Sequence, residues 1–143
     1  MKRPSKSRVF TVSVDGSVGG NPGPGAIGVV IEDEHGNRVD AWGEAVGQVT
    51  NNQAEYLALL AALRRSHALG ATGVKVRSDS QLLVRQYLGE YRVRDPKLAI
   101  LHNEAHQLAK EFLAFEIQHV RRGDNREADR LANQARLGKE SRS

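Results

Sequence analysis

Val9-Phe-Thr-Val-Ser-Val-Asp-Gly-Ser-Val-Gly-Gly-Asn-Pro-Gly-Pro-Gly-Ala-Ile-Gly-Val-Val-Ile-Glu32 is the stretch that decides the architecture. Its two ends, residues 9–14 and 26–32, are rich in β-branched residues and read as strands. Between them, residues 16–25 carry glycines and prolines that neither a helix nor a central strand is expected to contain. A loop so rich in glycine lets backbone amides approach a ligand closely, and a phosphate or sugar suits them. Downstream, residues 33–37 read as a turn and 38–45 as a third strand, which makes an antiparallel meander.

The helical period then takes over. Thr50-Asn51-Asn52 opens a helix reaching about Leu69, with Tyr56, Leu59, Leu60 and Leu63 on one stripe and Gly70 at its end. Residues 74–77 form a fourth strand and 80–88 a second helix. After a break at 89–95, Pro96 suits the first turn of a third helix running to about Phe112. A fifth strand covers 115–120 and a last helix 125–137. The order βββαβααβα predicts an α/β fold: a five-stranded mixed sheet with helices on both faces, its first, fourth and fifth strands parallel neighbours. We expect one domain over residues 8–138, a flexible basic arm at 1–7 and a flexible tail at 139–143.

The 143 residues suffice for one domain with a real core, and 39% hydrophobic with 27% charged is a globular composition. No apolar run approaches the ~18 residues of a membrane helix, and no h-region follows the basic start, so neither a membrane span nor a secretory signal is expected. The absence of cysteine excludes disulfides, thiolate catalysis and cysteine-based zinc sites. A cytoplasmic location fits these features. The net charge of +4 points only modestly to a polyanion. Lys2, Arg3 and Lys6 in the arm, with Arg8 just after it, read equally as a solubilising tail or a nucleic-acid clamp.

Four acids stand where an acid is awkward. Asp15 ends the first strand, where an Asp-Gly turn is its ordinary explanation. Glu55 lies three residues after Asn52, a pairing like a capping box, yet it projects near the stripe of Ala58, Leu59 and Ala62. Asp79 can cap the helix beginning at Ser80 or Gln81, but it also sits at the carboxyl end of a parallel strand, where open α/β sheets place ligands. Asp129 lies inside the last helix beside Ala128 and Ala132, since Asp124 with Glu127, or Asn125, already offers the cap. Brought together, four carboxylates would not stay ionised without cations, and hard divalent ions, Mg²⁺ or Mn²⁺, suit such an oxygen cluster.

Other groups speak more softly. His102 and His106 have helical i,i+4 spacing but no third ligand, and a solvated helix face explains them. His119, at the end of the fifth strand, is the histidine nearest the expected cluster. Tyr87, Tyr91 and Arg92-Val-Arg94 mix aromatic and basic groups, as a nucleic-acid contact or a plain connector would.

Read together, Asp15-Gly-Ser-Val-Gly-Gly-Asn-Pro-Gly-Pro-Gly25, Thr50-Asn-Asn-Gln-Ala-Glu-Tyr56, Ser78-Asp-Ser-Gln81 and Ala128-Asp-Arg-Leu-Ala132 resemble the motifs of type 1 ribonuclease H, in the same order. The resemblance spans residues 8–137 and implies the ribonuclease H-like fold. It implies that Asp15, Glu55, Asp79 and Asp129 are catalytic, holding two divalent ions that hydrolyse the RNA strand of RNA/DNA hybrids to 5′-phosphate and 3′-hydroxyl ends. It further implies that Gly16, Ser17, Asn52 and Gln81 read 2′-hydroxyls, and that Asn21 and Thr50 help hold a DNA-strand phosphate. A monomer acting on hybrid, with no protein or membrane partner, is the expectation.

Two departures from many bacterial relatives stand out. Residues 88–96 run directly into the third helix, so the basic protrusion is missing and grip would pass to Arg92, Arg94, Lys97 or the arm. The loop Val120-Arg-Arg-Gly-Asp-Asn125 lacks the loop histidine, and Arg122 is placed to do part of its work on phosphate. A silent hybrid-binding module and another nuclease of the same fold are the rival readings. An intact acid quartet disfavours the first, and the T-N-N-x-x-E and N-P-G motifs disfavour the second.

Overall fold

The computed structural model describes residues 7–138. The expected arm at 1–7, apart from Ser7, and the tail at 139–143 lie outside the described residues. The elements are β1 (Val9–Val18), β2 (Gly23–Glu32), β3 (Arg38–Val49), α1 (Asn51–Ala68), β4 (Gly73–Ser78), α2 (Gln81–Tyr87), α3 (Pro96–Ala109), β5 (Ala114–His119) and α4 (Arg126–Arg136), with a 3₁₀ turn at Arg122–Asp124 before α4. The strands order as β3-β2-β1-β4-β5 in one mixed sheet. β1 pairs antiparallel with β2 and parallel with β4, and β4 pairs parallel with β5, as expected.

Alternation along the strands sorts the core into two layers. Phe10, Val12 and Val14 of β1 and Ile27, Val29 and Ile31 of β2 meet Tyr56, Leu59, Leu60 and Leu63 of α1 on one face. Val30 of β2 turns the other way, onto Ala128 and Leu131 of α4. A strand buried on both faces needs no polar residue, which is why residues 25–31 read as an unbroken small-and-apolar run. No helix is long and apolar enough to cross a membrane among the described residues.

The glycine-rich stretch behaves differently from expectation. β1 continues through Asp15, Gly16, Ser17 and Val18, and β2 begins at Gly23, so the true turn shrinks to residues 19–22. β1 is moreover the central strand. Pairing of Gly16 with Ile27 and Val18 with Gly25 extends the hairpin. What Gly16 supplies is therefore close approach, not loop freedom: a Cβ there would stand 2.7 Å from the Cβ of Ala54, so α1 can begin directly against the strand.

Three cap assignments also change. Thr50 and Gln53 form the capping box of α1, leaving both Asn52 and Glu55 without that duty. Ser80, not Asp79, caps α2 by accepting from the N–H of Leu83. Asn125 stands at the N-cap of α4 but makes no cap bond; its Nδ2 donates instead to the buried carbonyl of Val14 at 2.9 Å, because a backbone acceptor in the core has the stronger claim. α3 stops at Ala109, earlier than Phe112.

Candidate active site

Sheet register brings the acids together. Parallel pairing sets Val14 beside Ser78, so Asp15 and Asp79, one residue further along each strand, emerge as neighbours at the carboxyl edge. Alternation turns Asp15 and Ser17 toward the face on which α4 packs, and the close approach at Gly16 brings Glu55 of α1 to the same edge. The N–H of Gly16 donates to Glu55 Oε1 at 3.0 Å, tying helix to strand. The Asn125–Val14 bond pins the start of α4, and Asp129 follows one turn later.

Asp15, Glu55 and Asp79 offer carboxylate oxygens that all lie within 4.8 Å of one another. A cavity of about 300 Å³ is lined by these three together with Asp129, Arg122, Gly16, Asn51 and Ser80. Asp15 is 4% exposed. Its pKa is driven far above the carboxylate range by burial first, then by the charge of Glu55, by a hydrogen bond with Asp129 and by the charge of Asp79. Burial, followed by the charge of Asp79, pushes Glu55 up to about 8, against the lowering bond from Gly16. Asp15 and Glu55 therefore hold their protons until cations neutralise the site. Oxygen-only donors at this spacing fit hard divalent ions, and no thiolate or histidine joins them to suggest a softer metal.

Beside it lies a second cavity of about 270 Å³, lined by Asn21, Thr50, Asn51, Asn52, Glu55, Ser80 and Leu82. Asn21 Oδ1 accepts from the N–H of Asn51 at 2.9 Å, so the glycine-rich turn is buttoned to the start of α1. Asn52 donates from Nδ2 to the buried Gln86 at 3.1 Å. Ser17 lines neither cavity but is bonded to α4 through Asn133 at 2.5 Å. Gln81 is exposed at the start of α2 and lines neither. His119 pairs in register with Ser78 yet is exposed and does not line the acid cavity.

The remaining candidates separate from this site. His106 stacks on Tyr87 with ring centroids 4.0 Å apart, and His102 Nε2 meets the Gln86 carbonyl at 3.2 Å. The pair is thus half-buried packing, not the solvated face expected. A larger concavity of about 770 Å³ runs past Tyr87, Tyr91, Arg92 and these histidines and contains none of the four acids. Sequence reasoning missed Asn51, which lines both cavities, and Asn133 and Arg136, which bond to Ser17. The last two lie four and seven residues after Asp129 on one helix face, a spacing that is legible without coordinates.

Comparison with known proteins agrees with this layout. The reverse transcriptase-like family matches residues 13–135. Ribonuclease HI of Halobacterium salinarum is 42% identical over 121 residues, covering 85% of this chain and 61% of the relative. Its namesake crystal structure, RNase H1 from that archaeon, superposes with a TM-score of 0.87 at 40% identity, covering 89% of this chain and 96% of the other. The N-terminal RNase H domain of a Mycobacterium tuberculosis protein gives a TM-score of 0.89 at 38% identity, covering 92% and 96%. LC11-RNase H1, solved in complex with an RNA/DNA hybrid, gives 0.85 at 37% identity, covering 90% and 97%. The chain spans 61% of the curated archaeal relative and 34% of the curated mycobacterial one. With the sheet order, the converging acids and these matches in hand, the chain belongs to the reverse transcriptase-like family, among the type 1 ribonucleases H.

Proposed function

We propose that this chain is a metal-dependent endoribonuclease that hydrolyses the RNA strand of RNA/DNA hybrids, leaving 5′-phosphate and 3′-hydroxyl ends. The observation that carries the reading is the convergence of four carboxylates, from β1, α1, the end of β4 and α4, on one cavity next to an amide-lined one. Asp15, Glu55, Asp79 and Asp129 would hold two Mg²⁺ or Mn²⁺ ions with substrate bound. Those ions would supply an activated water and neutralise charge on the scissile phosphate.

The protein's own groups do the rest. Asn52, Gln81 and Ser17 offer amide and hydroxyl groups to ribose 2′-hydroxyls. Because its N–H is taken by Glu55, Gly16 would contribute its carbonyl. Asn21 and Thr50, joined through the start of α1, offer polar groups to a DNA-strand phosphate. Arg122 brings a guanidinium to the rim of the acid cavity, where it would meet phosphate and steer it toward the acids. None of these groups reads base edges, so sequence preference should be weak. The names of the relatives, and the hybrid bound to LC11-RNase H1, support the same substrate. A monomer working in the cytoplasm belongs to this reading.

The test is cleavage of matched, labelled hybrid, RNA duplex and DNA duplex with Mg²⁺, with Mn²⁺ and with chelator. Hybrid alone should be cut, on its RNA strand, only with metal. Asp15→Asn and Asp79→Asn should each lower the rate by about 10³-fold, on the scale of losing a main electrostatic group. Near-normal cleavage by either variant would overturn the assignment.

A further inference from the structure

Three hydrogen bonds run in series from the acid cluster to the strand that carries Ser17. Asn133 Nδ2 donates to Asp129 Oδ1 at 3.3 Å, Ser17 Oγ donates to Asn133 Oδ1 at 2.5 Å, and Arg136 Nε donates to Ser17 Oγ at 2.7 Å. All the side chains are half-buried. The ends of the chain set the direction of every bond in it. A carboxylate only accepts and a guanidinium only donates. Asn133 must therefore turn its amide nitrogen to Asp129 and its oxygen to Ser17. The serine hydrogen must go to that oxygen, because the Arg136 side already points a hydrogen at it.

A hydroxyl has one hydrogen to give and two lone pairs to accept with. Ser17 has spent its hydrogen on Asn133 and one lone pair on Arg136, and one lone pair remains. We propose that Asn133 is a positioning residue whose amide does two separate jobs: its oxygen makes Ser17 an acceptor only, hence selective for a 2′-hydroxyl donor, and its nitrogen orients Asp129. This rests on the hybrid-cleaving reading above and sharpens it. A ribose 2′-hydroxyl can give Ser17 the hydrogen it lacks. A deoxyribose has nothing to give, and a 2′-fluoro sugar keeps a ribose-like pucker but can only accept. A serine free to rotate would turn its hydrogen toward fluorine and lose the distinction.

The experiment compares binding of two duplexes, RNA/DNA and 2′-fluoro-RNA/DNA of the same sequence, by fluorescence anisotropy in chelator, where nothing is cleaved. It adds hybrid cleavage in Mg²⁺ for the same variants, with circular dichroism to show that each is folded. Wild type should bind the 2′-hydroxyl duplex tighter, and about fivefold of that preference, the worth of one hydrogen bond, should come from Ser17. Asn133→Leu, or Asn133→Ala should the leucine not fold, should lower that ratio by about fivefold and also slow cleavage. Asn133→Asp keeps the acceptor but replaces the donor to Asp129 with a repelling charge, so it should retain the wild-type ratio while kcat falls. That split is what a merely structural role would not produce. A wild-type ratio in folded Asn133→Leu or Asn133→Ala, or equal wild-type binding of the two duplexes, overturns the inference. Failure of wild type to cut hybrid at all would instead strike the functional reading beneath it.

Discussion

A methyl group added at Gly28 would drive a carbon into the backbone of α4. A Cβ there would lie 2.0 Å from the carbonyl oxygen of Ala128 and 2.8 Å from the amide nitrogen of Ala132. Ordinary carbon–oxygen contact is about 3.3 Å, so helix and strand must part by about 1 Å. Backbone atoms on both sides leave no flexible side chain to yield. Gly28 is also the cross-strand partner of Asp15, so α4 crosses the sheet where the acids meet. Overpacking of this kind costs about 1–3 kcal/mol, and the upper half of that range applies here. For a domain of this size Gly28→Ala should lower Tm by about 5–10 °C. Asp129 follows Ala128 directly, so it moves with the helix. A displacement near 1 Å in a reacting group can cost about 10²-fold in rate, and kcat on hybrid should fall by that order with KM changing far less. Gly123→Ala is the comparison, because a Cβ there meets nothing within 4 Å and Tm should stay within about 2 °C. Thermal melting and steady-state cleavage together test the argument. A Gly28→Ala protein melting within about 2 °C of wild type and cutting at near-normal rate would refute the claim that glycine sets the height of α4 over the site.

Protonation makes a second prediction about the metal-free protein. Burial and repulsion raise the folded-state pKa of Glu55 to about 8 from an unfolded value near 4.5. The folded state then holds more protons across that window, so stability is full below the unfolded value and lost as pH rises through the folded one. Thermal melts in chelator should show Tm falling between about pH 5 and 8. Glu55→Gln should flatten the fall, and Mg²⁺ should restore Tm at pH 8 in wild type. An identical slope for the variant and wild type would contradict this account. Asn125→Ala tests the anchor of α4: leaving the Val14 carbonyl unpaired should destabilise by about 1–3 kcal/mol, seen as a lower midpoint in urea with unchanged slope.

Much of the fold was legible because its signals are local. The runs of β-branched residues over 9–14 and 26–32 mark strands, and the stripe of Tyr56, Leu59, Leu60 and Leu63 marks a helix. The caps were the weak point. Thr50 against Asn52, and Ser80 against Asp79, compete for the same helix start, and backbone conformation decides between adjacent oxygens. Residues 16–25 misled for a different reason. Glycine signals a loop to propensity, but at Gly16 it answers to α1 pressing on the strand, a contact 38 residues away in the chain at Ala54. His106 likewise hid its stacking partner, Tyr87, which comes from another helix.

Residue identity by itself determined which groups exist to do chemistry: four carboxylates, their amide and hydroxyl neighbours, and no thiol. It also set the order of elements, since periods of two and of 3.6 are written in the chain. Only the tertiary structure decided what each acid experiences. The parallel register of Val14 with Ser78 makes neighbours of Asp15 and Asp79, and backbone contact at Gly16 and Gly28 draws in α1 and α4. Desolvation and repulsion at that meeting point act through space at a few ångströms, between residues up to 114 positions apart in the chain, from Asp15 to Asp129. The direction of the Ser17 hydroxyl is likewise visible only once Asn133 and Arg136 are seen on either side of it.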